Sequence, residues 1–351
     1  MRRMMLAGAT LIAFATCATE KKADNPFEGL PPSVSDPTNT LVGWLNLRYA
    51  DNPGADPGQQ SLDLIGPRSL LKNIVERRAA AKAVAKGELA PVAPALTPVF
   101  VFIHGGGWVA GHKEDYLGQK APALAASGMM IASLGYRLAP QWKFPAEIED
   151  VAAAIAWLHD NVARFGGDPD RMIVAGHSAG GHLAALVSTD ERWLGAHHLP
   201  LTLFKGAVML DSGSIDLNNL MTGPQEGRAQ MMLPEVFGPD LSVLANYSPI
   251  RFIAPNKGIP PYLLFFTPSA AREFAEPAVR AFAGALATCG IENEVVPALD
   301  KRHVAIHRDF GRPDDWVTRK VLEFCCAKLG LPPPPEQLPA LPVPPPETEP
   351  H

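Results

Sequence analysis

Between about residues 98 and 330 the chain alternates short apolar runs with stretches of helical spacing. Pro98 to Ile103 (PVFVFI) is wholly apolar and rich in β-branched and aromatic residues, the pattern of a strand buried on both faces. Met129 to Leu134, Met172 to Ala175, Ala207 to Leu210, Tyr262 to Phe266 and Glu294 to Leu299 repeat it. Pro145 to Phe165 sets Ile148, Val151, Ile155, Leu158 and Val162 roughly on one face, which predicts a helix with Pro145 in its first turn. Gly166-Gly167-Asp168-Pro169-Asp170 supplies the turn that ends it. Further helices are expected over Ala179 to Thr189, about Glu276 to Cys289, and Asp314 to Leu329. Strands spaced by helices predict an α/β chain with a mostly parallel central sheet and helices on both faces. Ligands in such sheets bind beyond the carboxyl ends of the strands. Between Ser212 and Pro260 the alternation lapses, so 212–260 reads as an insertion placed to cap such a site.

The two ends depart from this pattern. Arg2 and Arg3 precede an apolar stretch, Met4 to Thr16, and Ala13-Phe14-Ala15 offers a small-residue cleavage site, so residues 1–17 read as an export signal. Cys17 follows at once, and a lipoprotein signal that lipidates Cys17 and attaches the chain to a membrane is the second reading. Residues 18–60 are rich in Pro, Asp, Asn and Gly and are expected to be irregular. The folded domain is expected over 61–330. From Leu331 to His351, ten of 21 residues are proline, which excludes helix and central strand and predicts an extended, disordered tail. Cys289, Cys325 and Cys326 are too few and badly spaced for a disulfide framework. The formal charge is −5 over 351 residues, without the basic surplus of a nucleic-acid binder.

The chemistry is concentrated at two strand ends. After Met172 to Ala175 comes Gly176-His177-Ser178-Ala179-Gly180, a G-x-S-x-G turn between strand and helix. Glycines let the backbone pass through so sharp a bend, Ser178 then projects above the sheet, and the Ala179 amide at the helix start points towards developing negative charge. After the first strand comes His104-Gly105-Gly106-Gly107-Trp108, whose glycines allow the loop to turn amides inward around an oxyanion. Gly105 and Gly106 are the candidate donors beside Ala179. His303 follows the last strand, in the chain order expected of a base serving Ser178, and His307 is its competitor. Trp108 and His177 are candidates for the substrate pocket. Asp150 is expected to pair within the fold with Arg137. His182 and the His197-His198 pair lack a metal-ligand pattern, and no metal site is read.

From about Val99 to Gly330 the chain resembles the α/β-hydrolase esterases near hormone-sensitive lipase and kynurenine formamidase. The likeness is carried by HGGGW at His104 to Trp108, YRLAP at Tyr136 to Pro140, FPAEIEDV at Phe144 to Val151, GHSAGGHLA at Gly176 to Ala184, and RHVAIHRDFG at Arg302 to Gly311. It implies a serine carboxylesterase that takes a small-molecule ester through an acyl-enzyme without metal or organic cofactor. Hydrolysis of an arylformamide is the alternative chemistry it permits.

One position breaks the resemblance. The family places an acid a few residues beyond the strand Tyr262 to Phe266, and here Ala270 and Ala271 stand at those positions. Glu273, with a longer reach, is the first candidate for the acid, although it equally suits the start of the next helix. Asp216 and Asp300 are the alternatives. Failing all three, the site would be a Ser–His dyad of reduced or lost activity.

Overall fold

The computed structural model describes residues 32, 34–35, 40–221, 226–268 and 273–340, all within one unit, Pro31–His351. The export signal and Cys17 lie outside the described residues. The apolar runs form the strands of a nine-stranded sheet: β1 Val34–Ser35, β2 Leu41–Arg48, β3 Ser61–Pro67, β4 Thr97–Ile103, β5 Met130–Leu134, β6 Gly167–His177, β7 Phe204–Leu210, β8 Tyr262–Phe266 and β9 Asn293–Pro297. The helices are α1 Ser69–Ala85, α2 Leu117–Ala126, α3 Ala146–Asn161, α4 Ala179–Thr189, α5 Glu191–Gly195, α6 Leu217–Leu220, α7 Glu226–Phe237, α8 Ala275–Thr288, α9 His303–Arg308 and α10 Trp316–Leu329. The sheet order is β1-β2-β3-β5-β4-β6-β7-β8-β9. From β5 to β9 neighbours run parallel, as expected of strands joined by helical crossovers; β1, β2 and β3 extend the edge antiparallel.

Because successive residues of a strand face opposite ways, the parallel strands β4 to β8 bury both sides. Phe100, Phe102, Ile131, Ile173, Ala175, Val208, Leu210, Leu263 and Phe265 share a core with α2, α9 and α10. The alternate residues face α4 and α8: Tyr262 bonds Ser188 across 2.6 Å and meets Phe282 edge-on. Cys325 and Cys326 are buried on α10, and no disulfide forms among Cys289, Cys325 and Cys326.

Two segments differ from expectation. Within 18–60, residues Leu41–Arg48 form a full strand of the sheet, so the folded domain begins before residue 61. Its pattern is hidden because the register shifts between Trp44 and Leu47, where Asn46 adopts φ +56° and gives its amide to Asp63 Oδ1. The proline-rich tail is extended through residue 340, as proline requires, but it is docked. Arg319 donates to the carbonyls of Pro335 and Glu336, and Leu338 is buried in the α10 core. Residues 341–351 lie outside the described residues.

The 212–260 insertion folds into α6, α7 and two short 3₁₀ turns, Leu241–Tyr247 and Pro249–Phe252. It sits on the glycine-loop side of the sheet. Phe144 N–H bonds the Val236 carbonyl, Lys143 Nζ reaches the carbonyls of Pro234 and Glu235, and Phe237 meets Trp108 edge-on.

Candidate active site

Strands β6 and β7 pair so that His177 stands opposite Leu210, and the next residue of each is polar: Ser178 and Asp211. Both leave the sheet in the left-handed region, Ser178 at φ +53° and Asp211 at φ +52°. Non-glycine residues there carry strain on the order of 1–3 kcal/mol each and cluster at functional sites. The Ser178 turn is held by its amide on the Leu210 carbonyl at 3.1 Å. Gly180 is obligatory, since a Cβ there would run into the carbonyls of Ile103 and His104.

His303 is the first residue of α9 and a quarter exposed. Its Nε2 lies 3.0 Å from Ser178 Oγ, and its Nδ1 lies 2.6 Å from Asp211 Oδ2. Asp211 is completely buried. Thr267, the residue just past β8, serves this carboxylate twice, through its amide to Oδ1 at 3.1 Å and its hydroxyl to Oδ2 at 2.6 Å. The strand end expected to supply the acid thus supplies two donors to an acid on the neighbouring strand.

This corrects the assignment of the acid. Glu273 is exposed, in the turn before α8. Asp216 caps α6 by accepting from the Asn218 amide, and Asp300 is exposed and accepts from Trp316 Nε1. Ala270 and Ala271 lie outside the described residues. Asp211 was readable as the first carboxylate after the strand Ala207 to Leu210, in the same place relative to its strand as Ser178. The resemblance directed attention one strand too far. The dyad reading rested on the absence of an acid beside His303, and the structure places Asp211 there.

The glycine loop lies against this group. A Cβ on Gly105 would come within 3.3 Å of Ser178 Cβ, so its backbone flanks Ser178. Gly106 is exposed at φ +116°, and its carbonyl closes the turn by accepting from Val109 and Ala110. Ala179 opens α4, where the first amides have no partner within the helix. Trp108 and His177 are both buried. Trp108 packs beneath the loop, with Nε1 on His182 Nδ1 at 3.3 Å, and His182 Nε2 meets the Tyr247 carbonyl at 2.7 Å. Glycine loop, elbow helix and insertion are thereby joined through one imidazole, which burial holds neutral by lowering its pKa to about 4.

Other polar groups frame the site. His104 Nδ1 contacts the Gly105 carbonyl at 2.7 Å, its ring stacks on Tyr136, and burial lowers its pKa to about 4. Arg137 pairs with Asp150 at 2.8 Å, as expected. His307, the rival of His303, is stacked between Phe102 and His177, and burial pushes its pKa far below the usual imidazole range. Among the described residues no group of His, Cys, Asp and Glu is arranged to hold a metal ion, and no helix is long and apolar enough to cross a membrane.

A serine elbow after β6, an acid after β7 and a histidine after β9, at the carboxyl ends of a parallel sheet, make this an α/β-hydrolase fold. More narrowly, the chain belongs to the BD-FAE family, whose model matches residues 89–268, just over half of its length. It is similar to Carboxylesterase NlhH of Mycobacterium tuberculosis, 38% identical over 113 residues that make up 32% of this chain and 35% of that protein. It is also similar to Carboxylic ester hydrolase LipN of the same organism, 39% identical over 192 residues, 46% of this chain and 51% of the relative. The chain therefore spans between about a third and a half of the length of these curated relatives. The structure of Esterase B from Lactobacillus rhamnosis superposes with a TM-score of 0.63 at 20% identity, covering 85% of this chain and 89% of that one, a likeness of fold.

Proposed function

We propose that the protein is a serine carboxylesterase that hydrolyses small to medium acyl esters through an acyl-enzyme. The observation that carries this reading is the unbroken chain from Asp211 through His303 to Ser178, at 2.6 and 3.0 Å, beside the backbone of Gly105. Ser178 Oγ attacks the ester carbonyl while His303 Nε2 takes its proton. Amides of Gly105, Gly106 and Ala179 meet the oxyanion of the tetrahedral intermediate. His303 returns the proton to the leaving alcohol, and water repeats the sequence to release the acid. Asp211 holds the Nδ1–H tautomer and stabilises the imidazolium. The names of the relatives above support ester chemistry.

A fluorophosphonate probe and a short p-nitrophenyl ester test the reading together. The wild-type protein is expected to be labelled and to turn over; Ser178→Ala is expected to lose labelling and about 10⁶ in kcat. An unlabelled wild-type protein sinks the proposal. Rates on N-formylkynurenine, compared with the ester, decide between ester and arylformamide hydrolysis.

Export is part of the same proposal, motivated by the charge-then-apolar order of residues 1–17. The expected product begins near residue 16 or carries lipid on Cys17, and mass spectrometry of the mature protein reads either. A mature protein that retains Met1 to Thr16 removes it.

A further inference from the structure

We propose that His177 is a positioning residue for this hydrolysis: its Nε2–H holds the backbone carbonyl of His303 and so fixes where the catalytic imidazole hangs above Ser178. The proposal rests on the serine reading of the preceding section. His177 is the residue just before the nucleophile, the last of β6, and it is buried. Its Nε2 lies 2.8 Å from the His303 carbonyl oxygen. A carbonyl only accepts, so Nε2 carries the proton.

The geometry around the ring explains why this bond matters. The His177 ring lies 4.5 Å from that of His303 and stacks at 4.7 Å on that of His307, one turn further along α9. On another side it meets the glycine loop, since a Cβ on Gly105 would come within 2.8 Å of His177 Nδ1. One side chain thus touches the oxyanion loop, the nucleophile turn and the first turn of the helix that carries the base. Asp211 and Ser178 grip only the two ring nitrogens of His303. Those bonds orient the imidazole, whereas the His177 bond fixes the backbone from which it projects. Helix α9 has six residues and is anchored in the core by Ile306, so this bond is not its sole tie to the fold. The 3.0 Å contact between Nε2 and Oγ does need it, because a displacement of about 1 Å at the reacting atoms is enough to lose on the order of a hundred-fold in rate.

The test compares His177→Asn and His177→Gln with wild type and Ser178→Ala. A glutamine amide reaches about as far as Nε2, whereas asparagine reaches only as far as Nδ1. We expect His177→Asn to lose about ten- to a hundred-fold in kcat and in the rate of fluorophosphonate labelling, with KM within about two-fold of wild type. We expect His177→Gln to recover to within about three-fold. A purely structural role would lower the yield of folded protein without this split between kcat and KM and without rescue by glutamine. If His177→Asn turns over like wild type, or glutamine is as poor as asparagine, the positioning role is overturned and the Ser178 assignment stands. If Ser178→Ala is labelled and active, the serine reading fails and takes this proposal with it. Should the asparagine variant not fold, ¹⁵N imidazole spectra of the wild-type protein decide. A protonated Nε2 on His177 coupled to the His303 carbonyl supports the role, and an unprotonated Nε2 overturns it.

Discussion

At the scale of the residue, the site is governed by how a buried carboxylate finds its hydrogen-bond donors. Asp211 is wholly buried and accepts from the Thr267 amide, the Thr267 hydroxyl and His303 Nδ1. Three donors offset much of the desolvation that would otherwise favour the neutral acid. Asp211→Asn keeps the shape but places an amide against Nδ1, which favours the wrong histidine tautomer. The expected loss in kcat is about 10³- to 10⁴-fold, while Glu273→Gln stays within about two-fold of wild type. Steady-state rates on one ester settle the matter, and a severe defect in the Glu273 variant with an active Asp211 variant would reverse the assignment. Thr267→Val removes the hydroxyl but leaves the amide. It is expected to lower kcat by roughly ten-fold, the worth of one hydrogen bond to a charged group.

At the scale of the element, legibility followed burial on both faces. The parallel strands from β4 to β8 and helices α3, α4, α8 and α10 were readable because their apolar runs or stripes are continuous. The edge strands β2 and β3 were not, because they carry polar residues that tertiary partners satisfy. Asp63 lies inside β3 with its side chain 1% exposed and pairs with Lys113 Nζ at 3.0 Å; Asn46 Oδ1 takes a second ammonium proton at 2.9 Å. No local pattern announces a buried ion pair between a strand and a loop 50 residues away. Ser178, His303 and the glycine loop were legible because each has a local motif at a strand end. Asp211 had only its position after an apolar run, and the partners that define it come from 56 and 92 residues downstream. The same ion pair fastens the far end of the glycine loop, where Ser133 Oγ also bonds the Lys113 carbonyl. Lys113→Met leaves Asp63 buried without its counter-charge and is expected to destabilise the fold by about 3–5 kcal/mol in urea unfolding. A loss below about 1 kcal/mol would mean that water reaches Asp63.

At the scale of the whole molecule, groups buried away from their ordinary charge state set how stability responds to pH. Glu147, in the first turn of α3, is fully buried, and neither of its oxygens has a partner from another residue. Burial raises its pKa from 4.5 to about 8. Between those values the folded chain holds a proton that the unfolded chain has released, so this group makes stability fall as pH rises. Lys120 has the opposite sign. Its ammonium bonds the Asp115 carbonyl and lies over the rings of Phe102 and Tyr116, and burial lowers its pKa from 10.5 to about 7. Above pH 7 the unfolded chain binds the extra proton, so stability from this group rises up to about pH 10.5. The two contributions together place a minimum between about pH 7 and 8. Glu147→Gln keeps the shape without the titration. Its urea midpoint is expected to match wild type near pH 4.5 and to exceed it increasingly up to pH 8, while Lys120→Met removes the rise above pH 7. Difference curves of midpoint against pH, variant minus wild type, isolate each group from the rest of the protein. If the Glu147→Gln curve is flat from pH 5 to 8, that carboxyl ionises as it does in water, and the first turn of α3 must open to solvent at its core-facing side.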